Sequence, residues 1–120
     1  MEYKRLCESD YRFMSVVWDS EPVNSTHLVE LCRDQLGWKK STTYTMLKKL
    51  CEKGFLSNRD ATVTALVPRE EVQASESEIF VEQTFGGSLP RFLVSFLGGK
   101  TISDREAEEL KKLIDQHREG

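Results

Sequence analysis

The sequence predicts a mainly α-helical chain with one small β-hairpin, and three observations carry that expectation. Apolar residues recur at helical spacing through residues 9–53 and again through 79–114. Between these regions, Phe55, Leu56 and Ser57 and then residues 62–67 form two short, partly alternating runs around a turn-like Asn58, Arg59, Asp60 and Ala61. Pro22, Gly37, Gly54, Pro68, Gly86–Gly87 and Gly98–Gly99 divide the chain into segments of the length expected for short helices and strands.

Ser9 is placed to cap a first helix running to about Asp19, with Asp10 in the first turn, where a carboxylate meets the positive end of the helix. Phe13, Met14, Val17 and Trp18 give it a broad apolar stripe, and Trp18 is expected to pack in the core. Residues 20–25 (SEPVNS) read as a turn broken by Pro22. Ser25 caps a second helix over 26–36, in which Leu28, Leu31, Cys32 and Leu36 face inward and Gly37 marks the end. After a short link anchored by Trp38, residues 41–53 form a third helix. Thr43, Met46, Leu47 and Leu50 fall on one side of it, Ser41, Thr45 and Lys48 on the other, and Tyr44 and Lys49 flank them. Gly54 sits where a left-handed residue stops the helix. Two helices joined by a few residues, the second carrying a polar face, make a helix-turn-helix. The hairpin directly behind is then the wing of a winged helix, with Arg59 near its tip, where either a phosphate contact or a solvated loop arginine fits.

Pro68 is suited to open the next helix, which carries Val72, Ile79, Phe80, Val81 and Phe85 before Gly86–Gly87 break it. Ser88 caps a mostly apolar helix over 89–97, Gly98–Gly99 end it, and Ser103 with Glu106 makes a capping box for a last amphipathic helix. The region from Ile79 to Ile114 holds more apolar surface than three short helices can bury within one small chain. That excess predicts a homodimer about a twofold axis, with packing of the stripes back onto the winged helix as the alternative. Its expected contacts are Ile79, Phe80, Phe85, Leu89, Phe92, Leu93, Phe96, Leu97, Leu110, Leu113 and Ile114. The fold class is therefore a winged helix-turn-helix over residues 1–68, followed by a C-terminal helical dimerisation module over 69–120.

Charge distribution indicates the partner. The 120 residues carry a net charge of −3, unfavourable for a polyanion. Residues 1–59, however, hold ten Lys/Arg against eight Asp/Glu (+2), and residues 60–120 hold seven against twelve (−5). Within 39–53, five lysines face one acid, Glu52, so the basic charge is concentrated on the third helix. Hydroxyls at the front of such a helix reach base edges in a major groove, while Lys39, Lys40, Lys48 and Lys49 neutralise phosphates. A solvated, merely solubilising helix face is the alternative.

Other classes fit poorly. Cys7, Cys32 and Cys51 are widely spaced and form no C-x-x-C pair, which gives no support to a zinc knuckle or a redox dithiol. His27 and His117 lack partners at ligand spacing, so neither a metal nor another cofactor is expected. There is no Gly-rich phosphate loop and no recognisable nucleophile–base pair, so an enzyme is not expected. No run of 18 apolar residues and no apolar signal core are present, so the expectation is a cytoplasmic protein with no membrane insertion.

FMSVVW at 13–18, STTYTML at 41–47, EKGFL at 52–56 and FGGS at 85–88 stand in an order and at separations that resemble the penicillinase-repressor family over most of residues 8–115. The resemblance implies a winged-helix DNA-binding domain, a helical dimerisation domain and repression by occupying pseudo-palindromic operators on double-stranded DNA. It also implies base and phosphate contacts through Ser41, Thr42, Tyr44, Thr45, Lys48 and Lys49. Tyr44 stands where related repressors often carry a longer basic or polar side chain. Antibiotic-responsive members are cleaved at an Asn-Phe bond by a regulatory protease acting with a membrane sensor. The matching bond is Ser95–Phe96, where serine departs from the pattern and an ordinary helix position is the favoured reading. Copper-responsive members carry a C-terminal C-x-C pair, and this chain has no cysteine after Cys51. The sequence therefore predicts a dimeric DNA-binding transcriptional repressor, with a winged-helix protein-interaction module lacking sequence-specific DNA binding as the alternative.

Overall fold

The structure is a computed structural model that describes residues 6–119. Among the described residues the elements follow the order α1 (Glu8–Ser20), β1 (Val23–Asn24), α2 (Ser25–Leu36), α3 (Lys40–Glu52), β2 (Leu56–Arg59), β3 (Thr62–Ala65), α4 (Arg69–Phe85), α5 (Leu89–Leu97) and α6 (Asp104–Gln116). The chain divides into two compact units, the first ending at Ile79 and the second beginning at Phe80, so α4 contributes to both.

In the first unit, α1, α2 and α3 pack with an antiparallel sheet of order β1-β3-β2. Phe13, Met14 and Val17 of α1, Leu28 and Cys32 of α2, and Leu47 and Leu50 of α3 are buried together with Phe55, Leu56 and Val63. These are the i, i+3, i+4 stripes of the three helices meeting one face of the sheet. Trp38 anchors the α2–α3 link by stacking on Phe13, with ring centroids 5.8 Å apart and planes within 5°. Gly37 closes α2 at φ 71°, and Gly54 follows α3 at φ 87°, both in the left-handed region that ends a helix at little steric cost.

Four local expectations are corrected. Cys7, not Ser9, is the N-cap of α1, and its backbone N–H donates to the Asp10 carboxylate. Asn24, not Ser25, caps α2, its side chain accepting from the Thr26 N–H at 2.8 Å. The stretch expected to be only a turn contains β1: Val23 pairs with Val63 and Asn24 with Thr62, so the wing belongs to a three-stranded sheet and not to an isolated hairpin. Pro22 prevents the helix from continuing, and the buried, β-branched Val23 then takes the open edge of β3. The last strand also stops at Ala65, two residues before the end expected from its apolar run.

The start of α4 is fastened to α1. Arg69 Nη2 donates to Asp19 Oδ1 at 2.5 Å and to the Ser15 carbonyl at 3.3 Å, while its guanidinium lies over the Trp18 ring. Trp18 Nε1 donates to the Val67 carbonyl at 3.0 Å, and Val72 is buried in the core.

In the second unit, Ser88 caps α5 by accepting from the Arg91 N–H, and Ser103 caps α6 by accepting from the Glu106 N–H, as expected. Phe80, Phe85, Phe92 and Phe96 form a chain of ring contacts with centroid separations of 5.6–6.1 Å. No residue of α5 or α6 is fully buried.

Candidate nucleic-acid interface

α3 presents two chemically distinct sides. Thr43, Leu47 and Leu50 are buried and Met46 is half-buried, fixing the helix on the core. Ser41, Thr42, Tyr44, Thr45 and Lys48 are exposed, with Lys39 and Lys40 beside them at the helix start. The separation follows from helical periodicity: with one side held by fully buried side chains, the others are held outward. Lys40 Nζ lies over the Tyr44 ring, 5.9 Å from its centroid, a cation–π contact that holds positive charge against the face of a side chain that is 37 % exposed. The side therefore offers hydroxyl donors and acceptors, one flat apolar ring and ammonium groups along about three helical turns.

The wing is compact. β2 and β3 pair from Leu56↔Ala65 to Arg59↔Thr62, and Asp60 and Ala61 make the turn with φ values of 51° and 63°. Arg59 is exposed at the last paired position, next to the exposed acid Asp60, so the two tip charges cancel. The Ala61 carbonyl accepts from the Ser25 N–H at 2.8 Å, tying the turn to the start of α2.

Lys49 stands apart from the other lysines expected to meet phosphates. Its Nζ donates to Asp10 Oδ1 at 2.8 Å, and Lys53 Nζ lies 3.5 Å from Asp10 Oδ2. Burial pushes the Asp10 carboxyl upward, but hydrogen bonds from Lys49 and Cys7 and the Lys49 charge outweigh it and hold the carboxyl below its usual range. The hydrogen bond to Asp10 in turn raises Lys49. Asp10 was visible in the sequence as a first-turn acid. Nothing in its spacing announced two cationic partners 39 and 43 residues away.

Burial pushes the thiols of Cys32 and Cys51 up, so both stay protonated at neutral pH and resemble small apolar side chains more than ligands. Among the described residues no group of three or more His, Cys, Asp or Glu side chains is arranged to hold a metal ion. No helix of the described residues is long and apolar enough to cross a membrane.

Of the residues expected to join two copies, Phe80, Leu89, Phe96, Leu110, Leu113 and Ile114 are exposed, and Ile79, Phe85, Phe92, Leu93 and Leu97 are half-buried. Val94 and Ile102 are further exposed apolar residues of the same unit. The Ser95–Phe96 bond lies within regular helix, with Phe96 stacked on Phe92 at 5.7 Å and Lys100 Nζ 4.8 Å from the Phe96 ring centroid.

Comparison with known proteins gives concordant matches. The family model described as penicillinase repressor matches residues 6–116. The methicillin resistance regulatory protein MecI of Staphylococcus aureus (strain Mu50) is 21% identical over 115 residues, covering 92% of this chain and 94% of that protein. The penicillinase repressor of Bacillus licheniformis is 22% identical over 118 residues, covering 95% and 92% respectively. A 16.5 kDa protein encoded in the ptsI 3′ region of Latilactobacillus sakei is 28% identical over 110 residues, with 88% and 75% coverage.

Proposed function

The chain belongs to the penicillinase repressor family, and from that premise we propose that it is a dimeric transcriptional repressor occupying a pseudo-palindromic operator. The observation that carries the reading is the division of α3: a core-facing side of Thr43, Leu47 and Leu50, and an outward side of Ser41, Thr42, Tyr44, Thr45 and Lys48. Each protomer places that outward side in one major-groove half-site, with half-sites about one helical turn of DNA, or a multiple of it, apart. Thr42, Thr45 and Ser41 read base edges, and the Tyr44 ring makes apolar contact in the groove. Lys39, Lys40 and Lys48 neutralise phosphates, with Arg59 of the wing as an outlying contact. Residues 1–68 are the DNA-binding domain, and residues 69–120 join two copies through the exposed apolar residues of α5 and α6. The family match and the relatives' names support a regulatory role and not an enzymatic one. Ser95–Phe96 is read as an ordinary stretch of α5 and carries no cleavage step in this account.

A gel-shift titration at several salt concentrations tests the assignment. Thr45→Ala is expected to weaken operator binding about tenfold while leaving random-duplex binding nearly unchanged, because a base contact serves one sequence. Lys48→Ala is expected to weaken both and to reduce the salt slope by about one unit. Equal losses on operator and random DNA for Thr45→Ala contradict the assignment. Failure of the wild-type protein to bind any duplex at moderate salt favours a protein-docking module instead.

A further inference from the structure

The last turn of α3 is tied to the first turn of α1 by one carboxylate. Asp10 is 1 % exposed; its Oδ1 accepts from Lys49 Nζ at 2.8 Å, and its Oδ2 accepts from the Cys7 N–H at 3.3 Å and lies 3.5 Å from Lys53 Nζ. Lys49 and Lys53 are four residues apart, so their ammonium groups share one side of the helix, and a single carboxylate meets both. A carboxylate shielded from water is costly without its cations. Moving Lys49 to a phosphate would leave Asp10 with Lys53 at the longer of the two distances. Thr45 lies one turn before Lys49, so the clamp acts next to the residue assigned to base reading. Base-edge hydrogen bonds need accurate orientation, whereas flexible lysines follow phosphates over a range of positions.

Resting on the operator-binding reading above, we propose that Asp10 is a positioning residue for the recognition helix, and that Lys49 serves this clamp and not a phosphate. Loss of the clamp then lowers the preference for operator over random DNA without removing a counterion-releasing contact. A true phosphate contact behaves in the opposite way.

The test measures binding of Lys48→Gln, Lys49→Gln, Lys49→Arg, Asp10→Asn and the Asp10→Asn/Lys49→Gln double variant between roughly 50 and 200 mM salt. The probes are a random duplex and the duplex enriched by wild-type protein from genomic fragments. Lys48→Gln is expected to lower the random-duplex salt slope by about one unit, and Lys49→Gln to leave it within about 0.3 unit. Lys49→Gln and Asp10→Asn should each lower operator affinity about five- to tenfold. The double variant should lose no more than either alone, because the two residues act as one pair. Lys49→Arg should restore operator binding. A loss of about one slope unit in Lys49→Gln, or additive losses in the double variant, overturns the clamp and leaves operator binding standing. Wild-type protein that enriches no duplex overturns both readings. Lys49→Gln keeps Lys53 beside Asp10, so the slope comparison decides the matter even if Asp10→Asn does not fold.

Discussion

Asp10 joins three parts of the first unit: the chain entering α1 at Cys7, Lys49 on α3, and Lys53 at the C-cap of α3. Removing it deletes a helix cap and leaves two lysines without their carboxylate. Asp10→Ala is therefore expected to cost about 2 kcal/mol, measured by urea unfolding at neutral pH. The same residue sets a pH dependence with a definite sign. Its folded pKa lies below the usual carboxylate value, so its stabilisation is full above the unfolded value of about 3.9 and fades as the pH falls through the folded one. Asp10→Asn should flatten that part of the acid limb, and an unchanged acid limb would show that the ion pair is not stabilising. At this scale the sequence was partly legible. Periodicity correctly placed Thr43, Leu47 and Leu50 inward and Thr45 and Lys48 outward, because burial on a helix follows its repeat. Periodicity carries no information on which lysine of a helix meets a distant acid, so the pairing of Lys49 with Asp10 is legible only in the fold.

The helix boundaries and the wing show what local chemistry can and cannot specify at the scale of elements. Gly37, Gly54, Ser88 and Ser103 mark helix ends or caps through conformational freedom or hydroxyl acceptors, and these were readable from residue type. β1 was not, since two residues hold no alternation, and its existence depends on Val63 offering an open backbone edge. Both residues of the wing turn are left-handed, a conformation that Asp60 tolerates better than Ala61. Ala61 adopts φ 63°, a conformation that a Cβ disfavours and glycine adopts freely. Ala61→Gly is therefore expected to stabilise the first unit by about 0.5–1 kcal/mol, read as a higher thermal midpoint, with the hairpin register retained. A lower midpoint would mean that the turn does not hold this geometry in solution. With Arg59 and Asp60 side by side at the tip, the wing adds little net charge, so in the proposed DNA-binding role most of the phosphate affinity is expected from α3.

Across the whole molecule, one unit has a dry core and the other does not. The first unit buries Phe13, Phe55, Met14 and Leu28 completely or nearly so, while α5 and α6 contain no fully buried residue. Leu113 and Ile114 are 52% and 53% exposed, and Leu89, Val94, Phe96 and Leu110 of the same two helices are exposed with them; that many exposed large apolar residues on two short helices, unlike one exposed Leu alone, favours a covering partner. The exposed apolar excess was legible because it needs only a comparison of apolar residues with available interior; how the proposed dimer would pair depends on surfaces that one sequence does not order. Replacing both Leu113 and Ile114 by Glu is expected to weaken self-association roughly 100-fold, since it puts charge where the partner's apolar side chains should sit. Sedimentation at several concentrations reads this directly, and operator binding should weaken with it, because each protomer alone reaches one half-site.

If two copies of α3 read a spaced, symmetric DNA sequence, then genomic fragments selected by the purified protein should be enriched in a pseudo-palindrome whose half-sites lie about one helical turn apart, or a multiple of it, and Thr45→Ala should abolish that enrichment. Fragments sharing no sequence, or only a single unpaired half-site, would rule out paired reading by two copies of the helix.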